Sequence, residues 1–212
     1  IKPILYCPFD NQFIVYDSKV VTRMREQVMR HFHSGPHIGL IAMRQVALDD
    51  VYSHFGVSKS AIDNRTFYSN KGIVNFFPLY LYPDASTLDF DSERRPNLNP
   101  AFLQALGAAL QLPLEGEFGL PRGVLPEEIF SYAYAVFHAP QFRARYASFL
   151  KTDFPRLPLP RDFAQFQKLA KLGHTLVALH LLDENAAPVL REARHKFEGG
   201  GNRVVERVEY SE

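Results

Sequence analysis

The spacing of apolar residues changes near residue 99, and this change constrains the fold more than any other feature of the chain. Before it, short β-prone runs alternate with turn residues; after it, apolar residues recur at the three- and four-residue intervals of helices. A chain of 212 residues, 46% of them hydrophobic, can bury one substantial core or two small ones. The sequence therefore predicts an α+β fold, in which a strand-rich half with a mixed or antiparallel sheet precedes a helical half.

The first half is predicted to form strands around one early helix. Residues 4–6 and 13–16 are β-prone runs separated by Pro8, Asp10 and Asn11, which predicts a hairpin. Further strands are predicted at residues 38–43, 51–57 and 75–82, and a helix at residues 22–32, which stops at Ser34-Gly35-Pro36.

Residues 83–98 are rich in Pro, Asp and Ser, so we place a linker or long surface loop at residues 86–98. This divides the chain into a strand-rich subdomain, residues 1–85, and a helical subdomain, residues 99–212. Helices are predicted at residues 99–110, from residue 126 onward, and at residues 140–150 and 162–182. Three prolines exclude a regular helix from residues 154–160.

The motifs of common catalytic centres are missing from the sequence. It contains no glycine-rich phosphate loop, no G-x-S-x-G elbow and no Asn/Asp-Pro-Pro-aromatic loop of an adenine methyltransferase. His31, His33 and His37 are spaced so that they could bind zinc, but histidines at a helix C-terminus also favour the helix dipole. We expect no catalytic, cofactor or metal site in this chain.

Cellular location is predicted from two further features. Cys7 has no second cysteine with which to form a disulfide, which fits a reducing cytoplasm. No apolar run approaches the length of a membrane span, so we expect no contact with a membrane.

Several polar side chains are candidates for nucleic-acid contacts. The net charge of +1 does not by itself indicate a nucleic-acid-binding protein. Arginine is the side chain that best reads guanine, and asparagine and glutamine read adenine. The candidates near base edges are Arg44, Gln45, Asn64, Arg65, Asn70 and Lys71. A basic stretch supplies the candidates for phosphate contact or scaffold: Arg143, Arg145, Lys151 and Arg156. Each of these residues can also be an ordinary surface group.

Longer stretches of the sequence resemble a known family. They include YCPFDNQFIVYD (6–17), GLIAMRQ (39–45), NFFPLYLYPD (75–84), LGHTLVALHLLD (172–183) and, most specifically, the block from PEEIF to PLPRD (126–162). These stretches resemble, in order, the C-terminal specificity region of Type ISP restriction-modification enzymes. In that family one bacterial polypeptide combines a nuclease, an ATP-dependent translocase, an adenine-N6 DNA methyltransferase and a target recognition domain.

The resemblance implies that this chain recognises a sequence in double-stranded DNA, with residues 1–85 facing the DNA. S-adenosylmethionine, ATP and magnesium would then serve the other domains of the full-length enzyme. A second hypothesis stays open, in which the helical half is a structural coupler that docks the recognition surface onto the methyltransferase domain of the same polypeptide. The sequence also leaves open whether residues 1–85 belong to the recognition domain or to the methyltransferase.

Overall fold

A computed structural model of the chain describes residues 1–22, 24–32, 35, 37–47, 52–69, 71–83, 94–183 and 186–192. In the first half the elements are β1 (Lys2–Cys7), β2 (Asp10–Ile14), α1 (Glu26–Met29), β3 (Gly39–Met43), β4 (Phe55–Ser58), β5 (Ala61–Ile62), β6 (Val74–Pro78), β7 (Tyr80–Leu81) and β8 (Arg95–Pro96). In the second half they are α2 (Pro100–Leu110), β9 (Leu114–Glu115), β10 (Leu120–Pro121), α3 (Pro126–His138), α4 (Pro140–Arg145), α5 (Ala147–Leu150), α6 (Phe163–His180) and α7 (Ala187–Arg191). The predicted α+β fold is confirmed.

The predicted N-terminal hairpin is present. Strands β1 and β2 pair antiparallel, and β5 joins the other edge of β1 in parallel. At the tip, Pro8 is followed by Phe9 with a φ of 66°, a left-handed conformation that is rare for a bulky side chain. Strand β2 ends at Ile14, so the last two residues predicted for it lie outside the strand.

The second sheet forms the centre of the strand-rich half. Strand β3 lies between β4 and β6 and pairs antiparallel with both, and its Ile41 and Met43 are fully buried. The strand predicted at residues 51–57 begins only at Phe55; Val51 lies outside the described residues. The strand predicted at residues 75–82 is divided into β6 and β7. Leu79 lies between them and donates its N–H to the carbonyl of Ile38, 2.9 Å away.

The early helix is shorter than predicted. Among the described residues of this range, only the four of α1 and a 3-10 turn over Arg30–Phe32 are helical. Arg25, just before α1, has a φ of 48°, which interrupts a right-handed helix at that point. The Tyr16 hydroxyl donates to the Met24 carbonyl and holds the preceding segment against the hairpin. Tertiary contact thus replaces the helical turns that the apolar spacing predicted.

The helices of the second half agree more closely with the helices predicted from the sequence. Helix α2 begins where the Asn99 side chain accepts the Ala101 N–H at 2.8 Å, and α6 begins after Asp162, which accepts the Gln165 N–H at 2.7 Å. The helix predicted at residues 140–150 breaks at Tyr146, whose ψ of 16° divides it into α4 and α5. The short hairpin of β9 and β10 was not predicted.

One large core joins the two halves. Buried residues of β3, β4 and β6 pack in the same apolar cluster as buried residues of α2, α3 and α6. Ring stacking of Phe55 (β4) on Phe137 (α3), with centroids 4.9 Å apart, is one direct contact between the halves. The described part of the predicted linker also contributes structure, since Arg95 and Pro96 form β8 against β7. Residues 84–93 lie outside the described residues.

Candidate nucleic-acid interface

One end of the central sheet presents polar loops. Met43, the last residue of β3, pairs with Val74, the first residue of β6, so the segments that follow β3 and precede β6 lie side by side. Gly72 packs so tightly there that an added Cβ would lie 2.9 Å from the Gln45 carbonyl oxygen. Its φ of 85° also requires glycine. The two loops are therefore held together by backbone contact.

A loop from the helical half completes this surface. The Arg44 Nε lies 3.2 Å from Asp153 Oδ1, and the Gln45 side-chain amide donates to the Thr152 carbonyl at 3.4 Å. Both partners follow α5, more than a hundred residues away in sequence. Two candidate groups that are far apart in the chain thus meet at one place.

We call this surface the basic edge. It is defined by Arg44, Gln45 and Lys71 on the two loops and by Lys151, Asp153 and Arg156 on the loop from the helical half. It carries four basic residues and one acidic residue, and the side chains of Arg44 and Asp153 are 62% and 52% exposed. The N–H of Phe154 and the Arg44 guanidinium hold the pKa of Asp153 below its usual value, with a further contribution from Arg156. Solvent access and excess positive charge suit contact with phosphate.

Arg143 has a different environment. Its Nε donates to the Phe137 carbonyl at 2.9 Å, and its Nη2 lies 2.8 Å from His138 Nδ1. The guanidinium also lies over the ring of Phe55, 5.8 Å from its centroid. Of the two roles considered for Arg143, scaffold or phosphate contact, these bonds favour the scaffold. Arg145 is exposed and lies 5.8 Å from the centroid of the Tyr146 ring.

Asn64 and Arg65 are exposed on a separate turn after β5. The Asp63 carboxylate accepts the Arg65 N–H at 2.8 Å, and the Thr66 hydroxyl donates to the Leu5 carbonyl at 3.1 Å. These contacts hold the turn against β1 and not against the basic edge. Asn70, the remaining candidate, lies outside the described residues.

A second concave surface was not predicted from the sequence. It is a groove of about 700 Å³ between the hairpin, the α1 region and β6. Its polar lining includes Arg25, Gln27, Asn64, Asn75 and Asn97. We call it the amide groove. Asn64 was a candidate already, and Asn75 begins one of the stretches that resemble the family. The other three come from segments without a motif, so only their convergence in the fold identifies them.

The two described members of the histidine cluster, His31 and His37, are packed among neighbouring side chains. His31 is buried, and its Nδ1 accepts the Tyr82 N–H at 2.9 Å. The His37 ring packs against Phe32 and Tyr82, and His33 lies outside the described residues. The described residues contain no group of three or more His, Cys, Asp or Glu side chains placed to hold a metal ion. None of the described helices combines the length and apolarity needed to cross a membrane.

The fold and these surfaces define a recognition module, in which polar side chains on loops and in a groove surround a shared core. The whole chain, residues 1–212, matches the family described as the Type ISP C-terminal specificity domain. The chain therefore belongs to this family, as the sequence stretches indicated. A specificity domain recognises a target and has no catalytic centre of its own.

Two solved structures share the fold. One, described as a cryoEM structure of a DrdV–DNA complex, has a TM-score of 0.63 and 24% identity. The other, with a TM-score of 0.57 and 20% identity, is a nuclease-deletion mutant of the Type ISP restriction-modification enzyme LlaGI in complex with a DNA substrate mimic. Each alignment covers 85% of this chain but only 16% and 13% of the respective longer chains. No curated protein matches the chain.

Proposed function

We propose that this chain recognises the DNA target sequence for a Type ISP restriction-modification enzyme. The observation that carries the proposal is the match of the whole chain to the specificity domain family. It is supported by the DNA in both solved structures that share the fold, one of them a Type ISP enzyme.

Within this function, we assign phosphate contact to the basic edge and base reading to Arg44, Gln45 and the amide groove. Exposed arginine and lysine supply affinity by displacing counterions, whereas amide and guanidinium groups discriminate between base edges. The ion pair with Asp153 leaves Arg44 accessible while fixing its direction. In this assignment residues 1–85 face the DNA, residues 86–98 connect, and residues 99–212 support the surface and add Lys151 and Arg156 to its phosphate contacts.

The catalytic reactions would be carried out by other domains of the whole polypeptide. We propose that adenine methylation with S-adenosylmethionine, and ATP- and magnesium-dependent translocation and cleavage, belong to domains outside this chain. The chain spans a small fraction of the length of the two related structures, which leaves room for such domains.

Fluorescence anisotropy with labelled duplex DNA of mixed sequence, repeated across a salt series, tests the proposal. Binding should weaken log-linearly with salt, because each phosphate contact releases counterions. Arg44→Ala should weaken binding several-fold, and Asp153→Asn should strengthen it by removing the acidic group that the described residues place at the basic edge. Lys168→Ala, an exposed change of the same sign on α6, is the matched control.

Equal effects of Arg44→Ala and Lys168→Ala would rule out the basic edge as the contact surface. Absence of any binding at low salt would contradict DNA recognition by the chain itself. The coupler hypothesis would then gain support, because the helical half exposes apolar side chains suited to a protein contact, Phe149 at 70% and Leu125 at 61%.

A further inference from the structure

The segment from α5 to Arg156, which brings the helical half to the basic edge, carries two phenylalanines in opposite environments. Phe154 packs edge-on against Phe77 of β6, with ring centroids 5.6 Å apart. Phe77 also lines the amide groove, so this segment lies beside both surfaces assigned to DNA contact. Phe149, at the end of α5, is instead 70% exposed. Phe154 therefore packs the segment against the sheet, whereas Phe149 contributes little to the core.

The backbone that carries Phe149 is firmly held. Its carbonyl accepts the N–H of Thr152 at 3.0 Å and the N–H of Asp153 at 3.1 Å, and the Thr152 hydroxyl also donates to it at 3.0 Å. The next residue, Leu150, is 2% exposed and belongs to the shared core. Thr152 and Asp153 are also the residues that contact the strand-rich half. An exposed ring on such a fixed backbone loses little conformational entropy when it binds a partner.

The surroundings of Phe149 are polar and positively charged. Residues 139–161 contain five basic residues and one acidic residue, Asp153, whose carboxylate is already paired with Arg44. The neighbouring Ser148 and Thr152 are exposed. Protein-protein contacts use contiguous apolar patches, and a single ring among charges is not such a patch. Duplex DNA has the complementary arrangement, with phosphates outside and stacked apolar bases inside.

We propose that Phe149 inserts as a wedge between two adjacent base pairs of the DNA held at the basic edge. This inference rests on the proposed function. The basic side chains contact phosphates on either side of the opened step, and the ring fills part of the space from which the bases unstack. Pyrimidine-purine steps open most easily, so the wedge favours a target that contains such a step. Phe149 is then a specificity-determining residue that forms no hydrogen bond to a base.

Competition between two short duplexes tests the wedge. One duplex is fully paired, and the other has the same sequence with one central abasic site, where the cost of unstacking has already been met. We expect the unaltered chain to bind the abasic duplex about five- to ten-fold more tightly than the paired one. Phe149→Ala should bind both duplexes equally. Equal affinity of the unaltered chain for the two duplexes would overturn the proposal.

Two further variants isolate the contribution of the ring. Phe13→Ala removes a ring that is 76% exposed on the other sheet, and it should keep the preference for the abasic duplex. Phe149→Leu keeps an apolar wedge without an aromatic face, and it should keep most of the preference. A loss in Phe149→Leu as complete as in Phe149→Ala would overturn the wedge and indicate stacking on an unpaired base. Since both phenylalanines are exposed, the Tm of each variant should match that of the unaltered chain.

A wedge also bends the duplex, and energy transfer between dyes at its two ends measures the bend. With a central TA step, saturating amounts of the unaltered chain should shorten the distance between the dyes. Saturating amounts of Phe149→Ala should leave this distance near that of free DNA. Bending of the same size by both proteins would contradict the assignment to Phe149.

Failure of the wedge can be told from failure of the proposed function. Binding that weakens in Arg44→Ala, with the abasic preference unchanged in Phe149→Ala, would overturn the wedge and leave DNA recognition in place. Absence of binding to either duplex at low salt would overturn both.

Discussion

At the scale of single residues, environment separates arginines that look alike in the sequence. Arg44 and Arg143 were both candidates for DNA contact. Arg44 lies on an exposed loop with an acidic partner, whereas Arg143 is bonded to a backbone carbonyl and a histidine beside a buried aromatic ring. An exposed ion pair of this kind contributes little to stability and can be exchanged for a phosphate contact. Bonds such as those of Arg143 hold the packing in place.

The buried histidines should make the fold sensitive to acid. Burial lowers the pKa of His31, His138 and His180, so the unfolded chain takes up more protons than the folded chain as the pH falls below about 6.5. The free energy of unfolding should therefore be highest above pH 6.5 and fall towards pH 4. Chemical denaturation at several pH values measures this dependence.

His138→Phe should reduce the slope of the free energy of unfolding against pH, because it removes one of the three histidines with a lowered pKa. The reduction should be somewhat below the roughly 1.4 kcal/mol per pH unit of one fully withheld proton, since His138 retains some contact with solvent. Leu172→Ala, an exposed change that removes no titratable group, is the control. A slope as steep in His138→Phe as in the unaltered chain would contradict the assigned role of His138.

At the scale of elements, the pair α3 and α6 forms the frame of the helical half. Gly173 on α6 faces the backbone of α3, and an added Cβ would lie 1.8 Å from the Ser131 carbonyl oxygen. The absence of a side chain therefore permits a close approach of the two helices. Tyr132 of α3 also donates its hydroxyl to the Pro158 carbonyl at 2.9 Å, which fixes the proline-rich segment against the same helix.

Gly173→Ala should separate the two helices, because the added Cβ would meet backbone of α3, which cannot move aside. We expect a loss of about 3 kcal/mol or more in the free energy of unfolding, at the upper end of the cost of overpacking. Lys168→Ala on the exposed face of α6 should change it by less than about 0.5 kcal/mol. Urea denaturation of both variants makes the comparison, and similar effects would show that the helices are not in close contact.

At the scale of the whole molecule, the strand-rich and helical halves share one apolar cluster. Neither half buries its apolar face without the other, because β3 and β4 supply one side of the cluster and α2, α3 and α6 the other. The basic edge has the same dual origin, with Arg44 from one half and Asp153 from the other. Any recognition by this edge therefore depends on the two halves being docked.

We expect the chain to unfold in one cooperative transition. Far-UV circular dichroism follows mainly the helical half, and the Phe55–Phe137 contact joins the two halves. Phe55→Leu should therefore lower the midpoint of the helical signal and that of the near-UV aromatic signal by the same amount. Separate transitions, or a shift in only one signal, would show that the halves unfold independently.

Sequence alone determined the family and the order of the longer helices and strands. Local signals sufficed for this: Asn99-Pro100 and Asp162 begin helices, Pro8 marks the hairpin turn, and the block from residue 126 to 162 identifies the specificity domain. These signals depend on neighbours within a few residues. Local spacing did not predict three features: the shortened α1, the break at Tyr146 and the division of β6 from β7. These features depend on contacts between distant segments.

Tertiary structure decided which polar residues act together. Arg44 meets Asp153, and Phe55 packs beside Arg143 and His138, only after the two halves dock. Asn64, Asn75 and Asn97 line one groove only in the folded chain. Residue type and spacing gave the candidates, including Arg44 and Arg143, but not the exposure of one and the partial burial of the other. Burial and charge pairing are properties of surfaces that only the folded chain possesses, and they set the role of each side chain.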